Sequence, residues 1–381
     1  VVMRARLSTS KPQLSMRAMC VAPHGLGHLV RGVHGISSRI RKIEESFHSE
    51  VHRVELTIPA TTSNLGPGFD CFGIALNLRN RIVVEKADTF SMHIEGEGRW
   101  TIPRTEENLM VRMVGKALGF MEKTLPPLHF RCQNAVPPRR GLGSSSIAVV
   151  AGFAAGLALG GKKLHTPATK KLLLNLAAAE ESDKKRMRHA RIAPAIYGGF
   201  QISFERQSQW ITQRVSVPDG MQMVLFIPDD EASTELVREI LPPQLHYEEA
   251  IFNVSRASML VNCFATGQFS PLRFAMEDRL HQQHRSKLFV HCEPIIKAAL
   301  RAGAHGAFLS GAGPTVVAIT GGVGVGRVGS DTMSQFLAEE VCRAVQLAAE
   351  RQGVRGTMHI AAPTSVGLTS TGYDRSGSRL W

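Results

Sequence analysis

The chain has 381 residues, 43% of them hydrophobic and 20% charged. This is ordinary globular composition with enough length for two core-bearing domains, which excludes a disordered or fibrous protein. The formal net charge of +13 invites a nucleic-acid reading, but residues 1–53 hold nine Lys/Arg against three Glu, so almost half of the excess sits in one segment. The rest is mildly basic, which suits anionic small substrates, and no basic stripe interleaved with aromatics and no zinc-finger spacing supports DNA or RNA binding. The six cysteines are far apart and form no C-x-x-C, which points to a reducing compartment and away from a disulfide framework or a structural zinc.

Residues 1–50 carry no acid before Glu44 and scatter Arg and Lys among Ser, Ala, Val and Leu. That is the composition of an organelle transit peptide, with a disordered extension as the alternative, and it sets residues 1–52 apart from the fold. The first reading places the protein in a plastid or other organelle, the second in the cytoplasm. From Val54 a β-branched run predicts a strand, then a polar loop over Pro59-Ala-Thr-Thr-Ser-Asn-Leu-Gly-Pro-Gly-Phe-Asp70, then a second buried segment. Asn64 and Asp70 are the members of that loop capable of chemistry, although both could simply form Asx turns. Strands over 81–85 and 92–96, a helix over 108–123 and a short strand over 129–132 follow, and the last delivers the chain to Pro137-Pro-Arg-Arg-Gly-Leu-Gly-Ser-Ser-Ser146.

In that stretch Gly141 and Gly143 allow a tight turn and close backbone approach, and Ser144 to Ser146 stand where a helix begins, with its orphan N–H groups pointing forward. Such a site suits a phosphate; a Gly/Ser turn capping a buried helix is the plainer alternative. It is neither a Walker loop nor a dinucleotide fingerprint. The apolar run after it, 147–160, is about 14 residues, short of the roughly 20 a bilayer needs, so a helix buried on all sides is expected and no membrane span.

A helix over 167–179 comes next, ending in Glu180-Glu181 and the basic run 184–189, and then a segment 192–204 that enters a strand. Ser216-Val-Pro-Asp-Gly220 reads as a domain junction, dividing the body into 53–216 and 217–370. The second half alternates a strand over 223–227, helices over 233–240, 247–266, 271–280 and 293–302, strands over 307–310 and 316–320 around the tight loop Gly311-Ala-Gly-Pro-Thr315, a helix over 334–352 and a strand over 357–360. The run Gly324-Val-Gly-Arg-Val-Gly329 formally matches a dinucleotide motif but reads better as a hairpin, and the end of the chain, from 370 on, reads as a frayed tail.

Three separated motifs stand together: Pro59 to Asp70, Gly141-Leu-Gly-Ser-Ser-Ser146 and Leu309-Ser-Gly-Ala-Gly-Pro-Thr315. In this order and spacing, over roughly 53–368, they resemble the galactokinase, homoserine kinase, mevalonate kinase and phosphomevalonate kinase (GHMP) superfamily, and the first motif is most similar to the homoserine kinase family. The resemblance implies an α/β (α+β) protein with a ribosomal-S5-like amino-terminal domain and a ferredoxin-like carboxy-terminal domain, the active site lying between them. It implies ATP as co-substrate, held by Pro137, Pro138, Arg139, Arg140, Gly141, Leu142, Gly143, Ser144, Ser145, Ser146 and Ile147, with Asn108 near the adenine and ribose. It further implies homoserine as acceptor in a step of threonine biosynthesis, with Asn64, Asp70 and His189 at the amino acid, Arg238 and Arg285 clamping its carboxylate and Gly311 closing the site. An arginine fork suits a planar carboxylate. Mg²⁺ is expected at Ser144 and Glu181, with Glu180 one position away and a solvated helix end as the alternative for both. A homodimer is one admissible assembly.

One departure stands out. The family pattern His-Ala-Asp-Asn-Ile-Ala-Pro is here His189-Ala-Arg-Ile-Ala-Pro194, so a single cation, Arg191, replaces an acid and an amide. Like charge beside the substrate's ammonium should weaken its binding. Two further readings follow: a related kinase with a shifted substrate, or a weakly active binding protein.

Overall fold

The computed structural model describes residues 50–181, 189–232, 236–322 and 330–381. The basic extension up to residue 49, the basic run up to Arg188 and the Gly324–Gly329 hairpin lie outside them. The first half lays down β1 (Arg53–Asn64), β2 (Gly68–Lys86), β3 (Ser91–Gly96), α1 (Leu109–Phe120), β4 (Leu128–Asn134), α2 (Ser144–Leu159), α3 (Pro167–Glu181), α4 (Ile192–Tyr197), β5 (Phe200–Arg206) and β6 (Gln209–Val215). The second half adds β7 (Met221–Pro228), α5 (Leu236–Glu239), α6 (Tyr247–Thr266), the single turns α7 (Leu272–Ala275) and α8 (Gln282–Arg285), α9 (Cys292–Arg301), β8 (Gly306–Leu309), β9 (Val316–Gly321), α10 (Ser330–Arg351), β10 (Gly356–Ala361) and β11 (Thr369–Tyr373).

In β1, Val54, Leu56 and Ile58 point into the core while Arg53, Glu55 and Thr57 are half-exposed, the period-two signature of a strand with one wet face. The expected loop begins later than its composition suggested. The strand runs on through Thr61, Thr62 and Ser63 to Asn64, because Pro59 falls at a register shift against Arg79 and Ala75, where its missing N–H does no harm. The long β2 pairs with β1 on one edge; its other edge takes β5 at Phe72–Ile74 and β4 at Arg81–Lys86.

Helix α2 lies beneath this sheet and is buried on every side, as its uniform apolar run predicts. Gly152 and Gly156 let α1 come close: a Cβ on Gly152 would overlap the Met110 carbonyl and meet Met113 Cβ at 2.5 Å. Segment 192–204 does not enter a strand at once, because its first six residues form α4. Pro194 sits in the first turn of that helix, where no intrahelical N–H partner is lost.

The second sheet has the order β10-β7-β9-β8 with every neighbouring pair antiparallel, which is the 4-1-3-2 order of a ferredoxin-like sheet. Both of its faces are covered. Val224 and Phe226 pack with Ile295 and Ala299 of α9 and Val341 and Val345 of α10; Met223 and Leu225 face Leu260 and Phe264 of α6, in a core continuous with that of the first sheet. The chain passes between the sheets twice, after β6 and after β10. The second passage corrects the expected tail: Thr369–Tyr373 pairs antiparallel with β1, from Thr57↔Thr369 to Arg53↔Tyr373, and Leu380 and Trp381 pack against the core.

Gly152→Ala is expected to force α1 and α2 apart at a cost of about 1–3 kcal/mol, lowering the thermal midpoint by several degrees. Circular dichroism melting checks this, and an unchanged midpoint would contradict the close helix approach.

Candidate active site

The three sequence motifs meet in one buried clasp. Ser310 Oγ donates to the Gly141 carbonyl at 2.8 Å, which leaves Thr62 Oγ1 to donate to Ser310 Oγ at 2.8 Å. The Gly311 N–H donates to the Ser63 carbonyl (3.0 Å) and the Thr61 N–H to the Leu142 carbonyl (3.1 Å). Thr61, Thr62 and Ser310 are fully buried, so each of these bonds sits where an unmade one would be costly. The end of β1, the loop before α2 and the β8–β9 connection are thereby held as one unit.

Two cavities flank the clasp. The larger, about 290 Å³, opens over the start of α2. Gly143, with φ of 79°, leads the chain into α2, and Gly143, Ser144 and Ser145 at that helix start line the cavity, a placement that favours an anion. Its far end is walled by Ile82, Met92, Ile94, Ile102 and Leu109, with Asn80, Asn108 and Asn134 as polar groups. Asn108 also caps α1, accepting from the Met110 N–H at 2.9 Å. Of the residues expected at the nucleotide, Asn108, Pro138, Arg139, Gly141, Gly143, Ser144, Ser145 and Ile147 line this cavity, whereas Pro137, Arg140, Leu142 and Ser146 do not. Arg140 is engaged elsewhere, donating to the carbonyls of Pro228 (2.7 Å) and Pro138 (3.2 Å) and to that of Asp229, with the Glu231 carboxylate 3.4 Å from its Nη1. Leu142 is core.

The smaller cavity, about 20 Å³, is lined by Ser63, Asn64, Asp70, Ala190, Arg191, Arg238, Arg285, Gly311 and Ala312. It gathers the residues expected at the acceptor from both halves of the chain. Asn64 and Asp70 hold φ of 75° and 55°, a backbone region that Asn and Asp tolerate better than other residues with a Cβ. Asn64 fixes both ends of the site, donating from Nδ2 to the Gly311 carbonyl (2.9 Å) and accepting the Asp70 N–H at Oδ1 (3.1 Å). Arg238 pairs with Asp70, and Arg238 and Arg285 both lie over the Phe69 ring, 5.7 and 5.3 Å from its centroid.

Arg285 is 3% exposed, donates from Nη1 to the Gly311 carbonyl (2.7 Å), and has no partner at its buried Nε. Burial pushes its pKa down to about 10, and Asp70 opposes that shift. His281 holds it in place. Arg285 Nη1 donates to His281 Nδ1 at 3.1 Å, so the imidazole is neutral and its Nε2–H donates to the Gly66 carbonyl at 2.9 Å. Asp278 in turn accepts the N–H groups of His281 and Gln282 at 2.8 and 2.7 Å. None of this support was foreseen from the sequence, where Asp278-x-x-His281 carries no local signature. Ser63 and Ala312 were within quoted motifs but unassigned.

At the end of α3 the two acids part. Glu180 pairs with Lys116 of α1, while Glu181 accepts from Ser146 Oγ at 3.1 Å, two residues from Ser144 in the cavity wall. An oxygen-only set of one carboxylate and one hydroxyl beside a phosphate site fits Mg²⁺, which takes few protein ligands and keeps substrate phosphates and water. No cluster of three or more His, Cys, Asp or Glu is found among the described residues. His189 opens the 3₁₀ turn His189–Arg191 that carries Arg191 into the small cavity.

Burial pushes the His281 pKa down to about 4 from an ordinary value of 6.5. Between those values the unfolded chain binds a proton that the folded one does not, so stability present above pH 6.5 is lost as pH falls toward 4. The urea midpoint of the unaltered protein is expected to drop across that window more steeply than that of His281→Gln; parallel slopes would show that His281 is not held neutral.

Comparison with known proteins agrees with this geometry. Residues 108–199 match the GHMP kinases N terminal domain and residues 262–346 the GHMP kinases C terminal domain. The homoserine kinase of Aquifex aeolicus is 37% identical over 267 residues, covering 70% of this chain and 86% of that protein. That of Moorella thermoacetica is 36% identical over 310 residues, covering 81% and 97%. The crystal structure of homoserine kinase from Cytophaga hutchinsonii, at 24% identity, superposes with a TM-score of 0.71 over 85% of this chain and 99% of that one, which supports the two-domain α+β fold. With relatives this similar over most of their length, and with the three motifs joined at one site, the chain belongs to the homoserine kinase family of the GHMP kinases.

Proposed function

We propose that this protein transfers the γ-phosphoryl group of ATP to the side-chain hydroxyl of L-homoserine, giving O-phospho-L-homoserine and ADP. The observation that carries the reading, beyond kinship, is the pair of unlike cavities meeting at one wall: an apolar one ending at a helix N-terminus, and a polar one holding Arg238, Arg285 and Asp70. ATP fits the first, with its base among Ile94, Ile102 and Leu109 and its phosphates at Gly143 to Ser145. The second, at about 20 Å³ no larger than a water site while Arg238 is closed onto Asp70, matches a zwitterionic amino acid in its charges and would admit one by ion-pair exchange as that pair opens. Its carboxylate takes Arg238 and the unpartnered Arg285 Nε, its ammonium takes Asp70, and one internal ion pair becomes two.

Phosphoryl transfer through a loose transition state asks mainly for alignment and charge neutralisation. Asn64 ties the acceptor wall to Gly311, so the hydroxyl is presented on the side of the clasp that faces the phosphates, and Asp70 is the carboxylate placed to take its proton. Mg²⁺ held by Glu181 and Ser144 would neutralise phosphate charge. The body divides functionally in a similar way: residues 53–216 supply most of the nucleotide cavity, and residues 217–370 supply both acceptor arginines and Gly311, with Ala312 and Gly313 reaching the nucleotide cavity. Residues 1–50 are proposed as an address segment, with an organelle as its destination.

ADP release measured with homoserine, mevalonate, shikimate and galactose offered separately is expected to respond to homoserine alone; turnover of another alcohol without homoserine would overturn the reading. With homoserine as acceptor, Arg238→Ala should raise its KM roughly 30- to 150-fold, the loss of about 2–3 kcal/mol for a charge-assisted contact, and leave the ATP KM nearly unchanged. Equal losses for both substrates would assign Arg238 a structural part instead. The two acids at the end of α3 separate cleanly. Glu181→Gln should lower kcat and raise the Mg²⁺ concentration needed for half-maximal rate, while Glu180→Gln should do neither; the opposite pattern would move the metal to Glu180.

A further inference from the structure

We propose that Arg191 is a catalytic residue of this transfer, its guanidinium bearing on the phosphoryl group as it passes from the nucleotide cavity to the acceptor cavity; the proposal rests on the homoserine kinase reading above. Among the described residues, Arg191 and Ala312 are the two that line both cavities. Ala312 brings only a methyl group, so the polar group at the boundary is the guanidinium. It is fixed there. Arg191 Nε donates to Ser63 Oγ at 3.1 Å, and its Nη2 lies so close over Gly311 that a Cβ on that residue would overlap it. The neighbouring Ala190 and Ile192 are buried, which anchors the turn that carries it. Its charge is felt across the site, where it opposes protonation of Arg285.

An arginine in that position does what a loose phosphoryl-transfer transition state needs. The guanidinium stays charged, and its planar fork can meet two non-bridging oxygens at once. In the step itself, the homoserine hydroxyl oxygen forms a bond to the γ-phosphorus. The bond from that phosphorus to the β,γ-bridging oxygen breaks, its electron pair leaves on ADP, and the hydroxyl proton passes to the Asp70 carboxylate. Arg191 donates hydrogen bonds to the moving phosphoryl oxygens and exchanges no proton. The acid of the family pattern cannot donate, and its amide donates without positive charge, so a charged planar fork at this boundary belongs to this chain. A position facing only the substrate's ammonium would instead predict weaker homoserine binding.

Steady-state kinetics of the unaltered protein, Arg191→Ala and Arg191→Lys with homoserine and ATP decide between these. The unaltered protein is expected to turn over. Arg191→Ala should lose at least about 100-fold in kcat with both KM values within about threefold, and Arg191→Lys should fall between. Guanidinium chloride below denaturing concentration should restore part of the Arg191→Ala rate, where sodium chloride at equal ionic strength should not. A kcat within about threefold of the unaltered protein, or a change confined to the homoserine KM, would overturn the proposal. If Arg191→Ala melts early, Arg191→Lys with an unchanged thermal midpoint carries the test, and full activity in it would likewise overturn the proposal. No homoserine turnover by the unaltered protein would instead defeat the functional reading itself, and the proposal with it.

Discussion

The site depends on the hydroxyl chain from Thr62 through Ser310 to the Gly141 carbonyl, two bonds of 2.8 Å between fully buried groups. Each group comes from a different part of the chain, more than 75 residues from its partner in sequence, and each would be left buried and unpaired if the others moved. The cost of breaking one bond therefore falls on the whole assembly. The nucleotide loop, the end of β1 and the β8–β9 turn move together or not at all, and the boundary between the two cavities has a defined shape before any substrate arrives. That preorganisation suits a reaction in which alignment does most of the catalysis.

Charge is arranged around this frame with little slack. Among the described residues that line the small cavity, three carry guanidinium groups, Arg191, Arg238 and Arg285, and one a carboxylate, Asp70. Asp70 holds Arg238, and neutral groups also contact the three cations: Ser63 for Arg191, the Phe69 face for Arg238 and Arg285, and the Gly311 carbonyl and neutral His281 for Arg285. Such a cavity attracts a carboxylate and a phosphoryl group together. The uncommon backbone of Asn64 and Asp70 lies beside the same cavity, as expected where side chains must be aimed at a ligand.

Much of the fold was legible where one rule acted alone. The all-apolar run of α2 predicted a buried helix, and the helix expected over 247–266 is α6 at its observed bounds. What escaped notice had no local signal. β6 follows a two-residue turn at Gln207-Ser208, both with positive φ, where a Gly or Asn would have announced a hairpin. β11 is a short run of Thr, Ser and Gly whose pairing depends on β1 being free at its edge. In the site, the glycines and hydroxyls were visible because close backbone approach restricts the residue types allowed. Arg238 and Arg285 could be picked out only through the motifs, since nothing local separates them from Arg140, which turned out to hold the main chain, and Asp278 and His281 support Arg285 through tertiary contacts that no spacing reveals.

A crystal structure of the protein with homoserine and a non-hydrolysable ATP analogue tests the shared boundary most directly. The γ-phosphate should lie at the start of α2, the amino-acid carboxylate between Arg238 and Arg285, and the hydroxyl should point across the clasp toward the phosphate with the Arg191 guanidinium beside both. Homoserine bound away from the small cavity, or an analogue whose phosphates turn away from Gly143 and Ser144, would contradict a transfer across the boundary formed by Arg191 and Ala312.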